Sequence, residues 1–182
     1  MSTTSIVPTS AFAASGFRAS PRLRANLQQV LADLVALHLL GKQAHSNVVG
    51  HNFRDLHLPL DEVVDFIELQ VQVAQVVDTA REGSDIIAER MRALDAMPDG
   101  RPETVAAMTQ LKAFPPGEQN TVGVVGLICD RLCTTAGTMR AVHDAVDAED
   151  PSTADLLHAL IDDIEKQRWM LSAEKRTAHQ TR

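Results

Sequence analysis

Tyrosine is absent from this chain of 182 residues, tryptophan occurs once, and aromatic residues make up only 3% of the whole. Hydrophobic residues still reach 45%. Leucine, valine, alanine and isoleucine must therefore build the interior, a composition suited to helices packed on helices. Basic residues are also few: 17 Lys and Arg stand against 24 Asp and Glu, a net charge of −7. That balance argues against a strongly basic nucleic-acid surface and suits cations as ligands. Cysteine is limited to Cys129 and Cys133. Four apart on an expected helix, they make poor disulfide geometry and are too few for a zinc site, so reduced core thiols in a cytoplasmic protein are expected. No stretch approaches the roughly 20 continuous apolar residues of a membrane span. The N-terminus lacks a positively charged start followed by an apolar run, so no signal peptide is expected.

The length suits a single domain with a real core. Residues 1–20 are Ser, Thr and Ala-rich without a helical stripe and read as a mobile tail. Residues 21–175 carry the apolar periodicity, and 176–182 form a polar C-terminal tail. Leu27, Leu31, Leu34, His38, Gly41, His45 and Val48 recur at steps of four and three, the stripe of a long helix that should stop near Gly50. Asn52 can cap a second helix carrying Phe53, Leu56, Leu60 and Val63 and running on to Leu94. A short helix is expected over 101–112. A third long helix from Thr121 carries Val122, Val125, Cys129, Leu132, Ala136, Met139, His143 and Val146. Asp150 and Pro151 then start a fourth, striped by Leu157, Leu160, Ile164 and Leu171. Four long helices, one short linking helix and no strand signal predict an all-α four-helix bundle.

Chemistry concentrates between residues 42 and 62, "KQAHSNVVGHNFRDLHLPLDE". His45 ends the first helix on its apolar stripe. His57 and Asp61 lie four apart on the second, hence on one face, and Asp85 and Glu89 form another such pair. Two imidazoles and three carboxylates suit ferrous iron, manganese or zinc better than copper(I). The plain alternative is that a histidine on an apolar stripe is a core residue with a satisfied hydrogen bond.

The string "GKQAHSNVVGHNFRDLHLPLDE" resembles the Dps family, the starvation-induced, DNA-protecting mini-ferritins. Their hallmark is a histidine followed by Trp-Asn-Val-x-Gly, an Asn-Phe, a Leu-His twelve residues after the first histidine, and an aspartate four later. Here His57 follows His45 by twelve and Asp61 follows His57 by four. "DIIAERMRAL", "DPSTADLL" and "EKQRWML" resemble later family signatures. The resemblance spans about residues 22–175. It implies a ferritin-like bundle, a hollow dodecamer, and oxidation of ferrous iron, preferably by hydrogen peroxide, with ferric mineral stored inside. It also implies iron sites at two-fold interfaces, with His45, His57 and Asp61 from one subunit and Asp85 and Glu89 from its neighbour. The acidic run Asp144, Asp147, Glu149, Asp150 and Asp155 falls where the family lines three-fold pores, so Asp144, Asp147, Asp150 and Asp155 are candidate pore residues. DNA binding, which in the family uses basic mobile tails, is expected to be weak or absent with so few terminal cations.

Three departures separate the chain from that pattern. Ser46 replaces the tryptophan after the first histidine, and Pro59 falls inside the expected second helix. Where the family's later aspartate follows the second histidine by fifteen positions, Asp85 follows His57 by 28, the excess falling at residues 67–79. That segment lacks Gly and Pro, yet Gly83 and Ser84 could restart a helix. It is therefore expected to bulge or loop out locally, returning Asp85 and Glu89 to the interface. The rival expectation is a structural or DNA-compacting cage with its oxidation site disabled. His38 reads as a packing residue, His51 as a loop residue, and His143 and His158 as helix-face residues without metal.

Overall fold

Ser20 begins the first helix by accepting a hydrogen bond from the Leu23 amide at 3.1 Å, with Pro21 in the first turn, where a missing N–H costs nothing. The computed structural model describes residues 16–50 and 60–173. Over these, the helices are α1 (Pro21–Asn47), α2 (Leu60–Ala93), α3 (Pro102–Met108), α4 (Thr121–Asp147) and α5 (Pro151–Ala173). α1 packs on α2 and α4, and α5 closes the bundle against α4 and α2. The expected all-α four-helix bundle with a short linking helix is what forms. α4 is long and apolar enough to cross a membrane by length and composition alone. In the fold its Ile128, Leu132 and Met139 are buried at the centre of the bundle.

Three boundaries differ from the sequence expectation, the simplest being α3, which stops at Met108 rather than at 112. α1 ends at Asn47, before Gly50, because Val48 and Val49 form a short strand, β1, parallel to β2 (Gln119–Asn120). A two-residue ladder is too short to leave a periodic signal. The bundle also takes in more of the N-terminal side: Ala19 is buried and its amide donates to the Leu94 carbonyl at 3.1 Å. Ser20 is held again from the other end of the chain, its amide and hydroxyl donating to the Glu149 carboxylate at 2.7 and 2.6 Å.

The larger correction concerns residues 67–79. They neither bulge nor loop out; α2 runs unbroken through them. Leu69, Val73, Val76, Val77 and Ala80 are buried at helical spacing, whereas Ile67 and Val71 are exposed. Ile67, Leu69, Val71 and Val73, which alternate in the sequence as a strand would, thus split between two helix faces. Gly83 starts no new helix. It lies buried at a crossing, where an added Cβ would stand 3.0 Å from Leu160 and 3.3 Å from Leu34.

The connection from α2 through α3 to α4 is bound by polar groups. Gln28 bonds both the amide and the carbonyl of Asp99, and Gln29 donates to the Met108 carbonyl. Asp33, fully buried on α1, accepts from the Thr109 hydroxyl (2.8 Å), the Gln110 amide (2.7 Å) and the Thr138 hydroxyl of α4 (2.7 Å). Buried Arg131 donates to the carbonyls of Lys112, Ala113 and Leu127. Ahead of α3, the Arg101 side chain, then its amide and the Thr104 hydroxyl, hold the Asp99 carboxyl well below the usual carboxylate range. This contribution is complete above the ordinary carboxylate pKa and is lost only as pH falls through the depressed folded value, in strong acid.

Asp33→Ala is expected to lower unfolding stability by about 2–4 kcal/mol, because it removes the buried acceptor of three part-buried donors at once. Chemical denaturation measures this. A loss below about 0.5 kcal/mol, the scale of an ordinary surface substitution, would remove the anchoring role.

Candidate functional site

The α1–α2 contact fixes where the candidate ligands stand. Gly41 is buried against Val77: a Cβ there would lie 2.7 Å from the valine Cγ2, so only glycine lets the helices approach this closely. One turn before Gly41, the His38 Nδ1–H donates to the Val77 carbonyl at 3.3 Å. This satisfies the ring as the packing reading of His38 requires. One turn after Gly41, the Gln70 side-chain amide donates to the His45 carbonyl at 3.4 Å. Phe66 lies alongside Gly50. These contacts set an antiparallel register in which position 70 of α2 stands level with His45.

Asp61 lies in the first turn of α2, nine residues before Gln70, which is about 13 Å further along the axis at 1.5 Å per residue. Its side chain and the whole of His57, with His51 and Pro59, fall outside the described residues. Asp85 lies fifteen residues past Gln70, about 22 Å along the axis in the other direction. The imidazole of His45 and the Asp85–Glu89 pair therefore do not meet within one chain. Among the described residues, no three His, Cys, Asp or Glu side chains converge as a preformed metal site.

His45, Asp85 and Glu89 are all exposed. On the outer face of α2 the carboxylates share the surface with Asp78, Glu82 and the exposed apolar side chains Ile67, Val71 and Ile86. The unbroken helix has a further consequence. Fifteen residues before Asp85 and Glu89 stand Gln70 and Ala74. The spacing that the sequence pattern assigns to a histidine and an aspartate is thus met by a neutral amide and a methyl group. Amides are weaker ligands than imidazoles, and a methyl group is none. Sequence reading missed this exchange because it depends on which half of α2 keeps its packing against α1.

The acidic run divides by role. Asp144, Asp147 and Asp155 are exposed. Glu149 is held by Ser20. Asp150 is nearly buried, accepting from Arg90 at 2.7 Å and from the Thr153 hydroxyl, so it joins α2 to the start of α5. Trp169 is largely exposed on α5.

The ferritin-like domain family matches residues 24–178. The chain is 31% identical over 148 residues to the DNA protection during starvation protein of Agrobacterium fabrum, covering 81% of this chain and 83% of that one. Among solved structures it is similar to the Dps92 of Deinococcus radiodurans, with a TM-score of 0.74 and 27% identity over 87% of this chain and 88% of that one. It is also similar to the Dps of Microbacterium arborescens solved in a high iron form, with a TM-score of 0.73 and 28% identity over 88% and 99% of the two chains.

Amide hydrogen exchange checks the register. Residues 67–79 are expected to be protected to the same degree as 83–93, as one cooperative helix. Fast exchange confined to 67–79 would mean that the segment loops out and that Gln70 does not stand at His45.

Proposed function

This chain belongs to the Dps family of ferritin-like proteins, and from that premise we propose that it works as a mini-ferritin. It takes ferrous iron as substrate, oxidises it at sites shared between subunits, stores the ferric product in a hollow cage of twelve chains, and so protects against peroxide. The observation that carries this reading is the placement of His45, Asp85 and Glu89. All three are exposed, and Asp85 and Glu89 on α2 stand about 22 Å along the axis from the level of His45 on α1, so among the described residues a shared ligand set would draw on a second copy. His45 supplies an imidazole from one subunit, and Asp85 and Glu89 supply carboxylates from the next; Asp61, about 13 Å along α2 from the level of His45, stands away from this set, and Gln70 and Ala74 take the positions expected for His57 and Asp61. Paired carboxylates bind the ion and offset the positive charge that grows on oxidation. Two ferrous ions give up the two electrons that reduce one peroxide to water, and the protein holds the ions in place.

Iron would enter by the acidic run, where Asp144, Asp147 and Asp155 are the exposed carboxylates and Asp150 braces the turn behind them. Charge repeated by symmetry focuses cations. DNA affinity is proposed to be weak. Arg18 is paired with Asp95 at 3.1 Å, and the Arg24 side chain donates to the Ala19 carbonyl, so two of the few N-terminal cations are engaged. A cytoplasmic location accords with the reduced thiols Cys129 and Cys133.

The second reading, a structural or DNA-compacting cage with a disabled oxidation site, is favoured by the unbroken α2 and by Gln70 and Ala74 at the spaced positions.

Ferrous oxidation followed by absorbance, with and without peroxide, separates the two readings. The wild-type protein is expected to oxidise iron faster than buffer does, His45→Ala to slow it at least about tenfold, and Gln70→His with Ala74→Asp to accelerate it. A wild-type rate no faster than buffer, together with retention of duplex DNA, would establish the second reading. Light scattering is expected to give a closed assembly near twelve subunits, and a stable monomer at micromolar concentration would sink the cage.

A further inference from the structure

At the end of the bundle where α4 runs out and α5 begins, two histidines meet that the iron chemistry does not use. The rings of His143 on α4 and His158 on α5 lie with centroids 4.3 Å apart and planes 31° from parallel. They line a cleft of about 150 Å³ with Arg140, Asp144 and Ile161. His143 Nδ1 stands 3.2 Å from Asp144 Oδ1. A carboxylate oxygen can only accept, so Nδ1 carries the proton. In the neutral ring the Nε2 lone pair is then free to bind. That atom is buried and has no hydrogen-bond partner among the described residues. A buried imidazole nitrogen left without a partner costs stability unless something fills the position.

We propose that His143 and His158 form a binding site for a divalent transition-metal ion, with Asp144 as the positioning residue that holds the His143 ring and its tautomer. A histidine whose second nitrogen donates to a carboxylate is the usual arrangement of an imidazole bound to metal, because the carboxylate fixes the ring and raises its basicity. Two imidazoles select a zinc, nickel, cobalt or ferrous ion over magnesium or calcium. Zinc–nitrogen bonds of about 2.0–2.1 Å require the two ligating atoms to come within roughly 3.4 Å of one another. With the centroids 4.3 Å apart and the planes 31° from parallel, the in-plane lone pairs do not yet converge, and His158, being exposed, must turn to bring its nitrogen to that spacing. Waters supply the remaining ligands.

The surrounding charge favours a cation. Arg140 is neutralised by Glu165, which accepts from it at 2.9 and 2.7 Å. Asp155 and Asp162, both exposed, stand about one turn to either side of His158 on α5, and Asp147 follows on α4. Both histidines lie within one chain and outside the proposed iron ligands, whereas Asp144, Asp147 and Asp155 are shared with the proposed entry path for iron.

Zinc alone, titrated calorimetrically into the full-length protein, tests the site without redox chemistry. One zinc ion per chain is expected to be lost, or weakened at least tenfold, in His158→Ala and in His143→Ala. Asp144→Asn is expected to weaken it by about tenfold through loss of ring orientation. His45→Ala is expected to leave this zinc ion in place, which separates the site from the proposed iron ligands. His158 is exposed, so its replacement leaves the core intact. An unchanged zinc isotherm in both His158→Ala and His143→Ala would overturn the proposal, as would loss of the same ion in His45→Ala.

Discussion

One buried carboxylate holds the long connection of this bundle in place. Asp33 sits on α1 with no exposed surface, and its two oxygens take donors from the segment after α3 and from α4. A buried carboxylate without donors would be among the most costly features a fold can carry. With three donors it becomes a three-way joint between α1, the segment after α3 and α4. Arg131 does the same from α4 with the opposite charge, fixing the carbonyls of Lys112 and Ala113. β2, Asn120 and the start of α4 then follow in fixed positions.

The second constraint is the close approach of α1 and α2 at Gly41 and Val77. A helix cannot slide by one residue without turning its buried face away, so this contact sets the register of all of α2. The extra residues therefore cannot be taken up as a local bulge. They occupy its core as Leu69, Val73 and Val76 and push the earlier part of α2 past the end of α1. The same register that keeps Asp85 and Glu89 on the outer face separates them from Asp61 along the axis.

The acidic turn shows how one composition serves two purposes. Glu149 and Asp150 are consumed by the fold, bonding Ser20 at the head of α1 and Arg90 on α2. Asp144, Asp147 and Asp155 remain open to solvent. A sequence reading sees a single run of carboxylates. Only their burial and partners divide them into joints and a charged surface. His143 and His158 were likewise legible only as two separate helix-face residues, because their meeting depends on how α4 packs against α5.

The sequence by itself determined the helices, the bundle and the family. Apolar spacing near 3.6 residues, the caps Ser20 and Asn120, and Pro151 at a helix start are local chemistry, and each element forms where those signals stand. It also determined which side chains could bind metal, since residue type fixes donor chemistry. Tertiary structure alone decided whether residues 67–79 would leave the helix, where α1 would stop, and which residue would face His45. Those outcomes follow from long-range contacts, Gly41 against Val77, Gly83 against Leu160, and Val48 beside Gln119, which join residues 36 to 77 positions apart and leave no periodic mark in the chain.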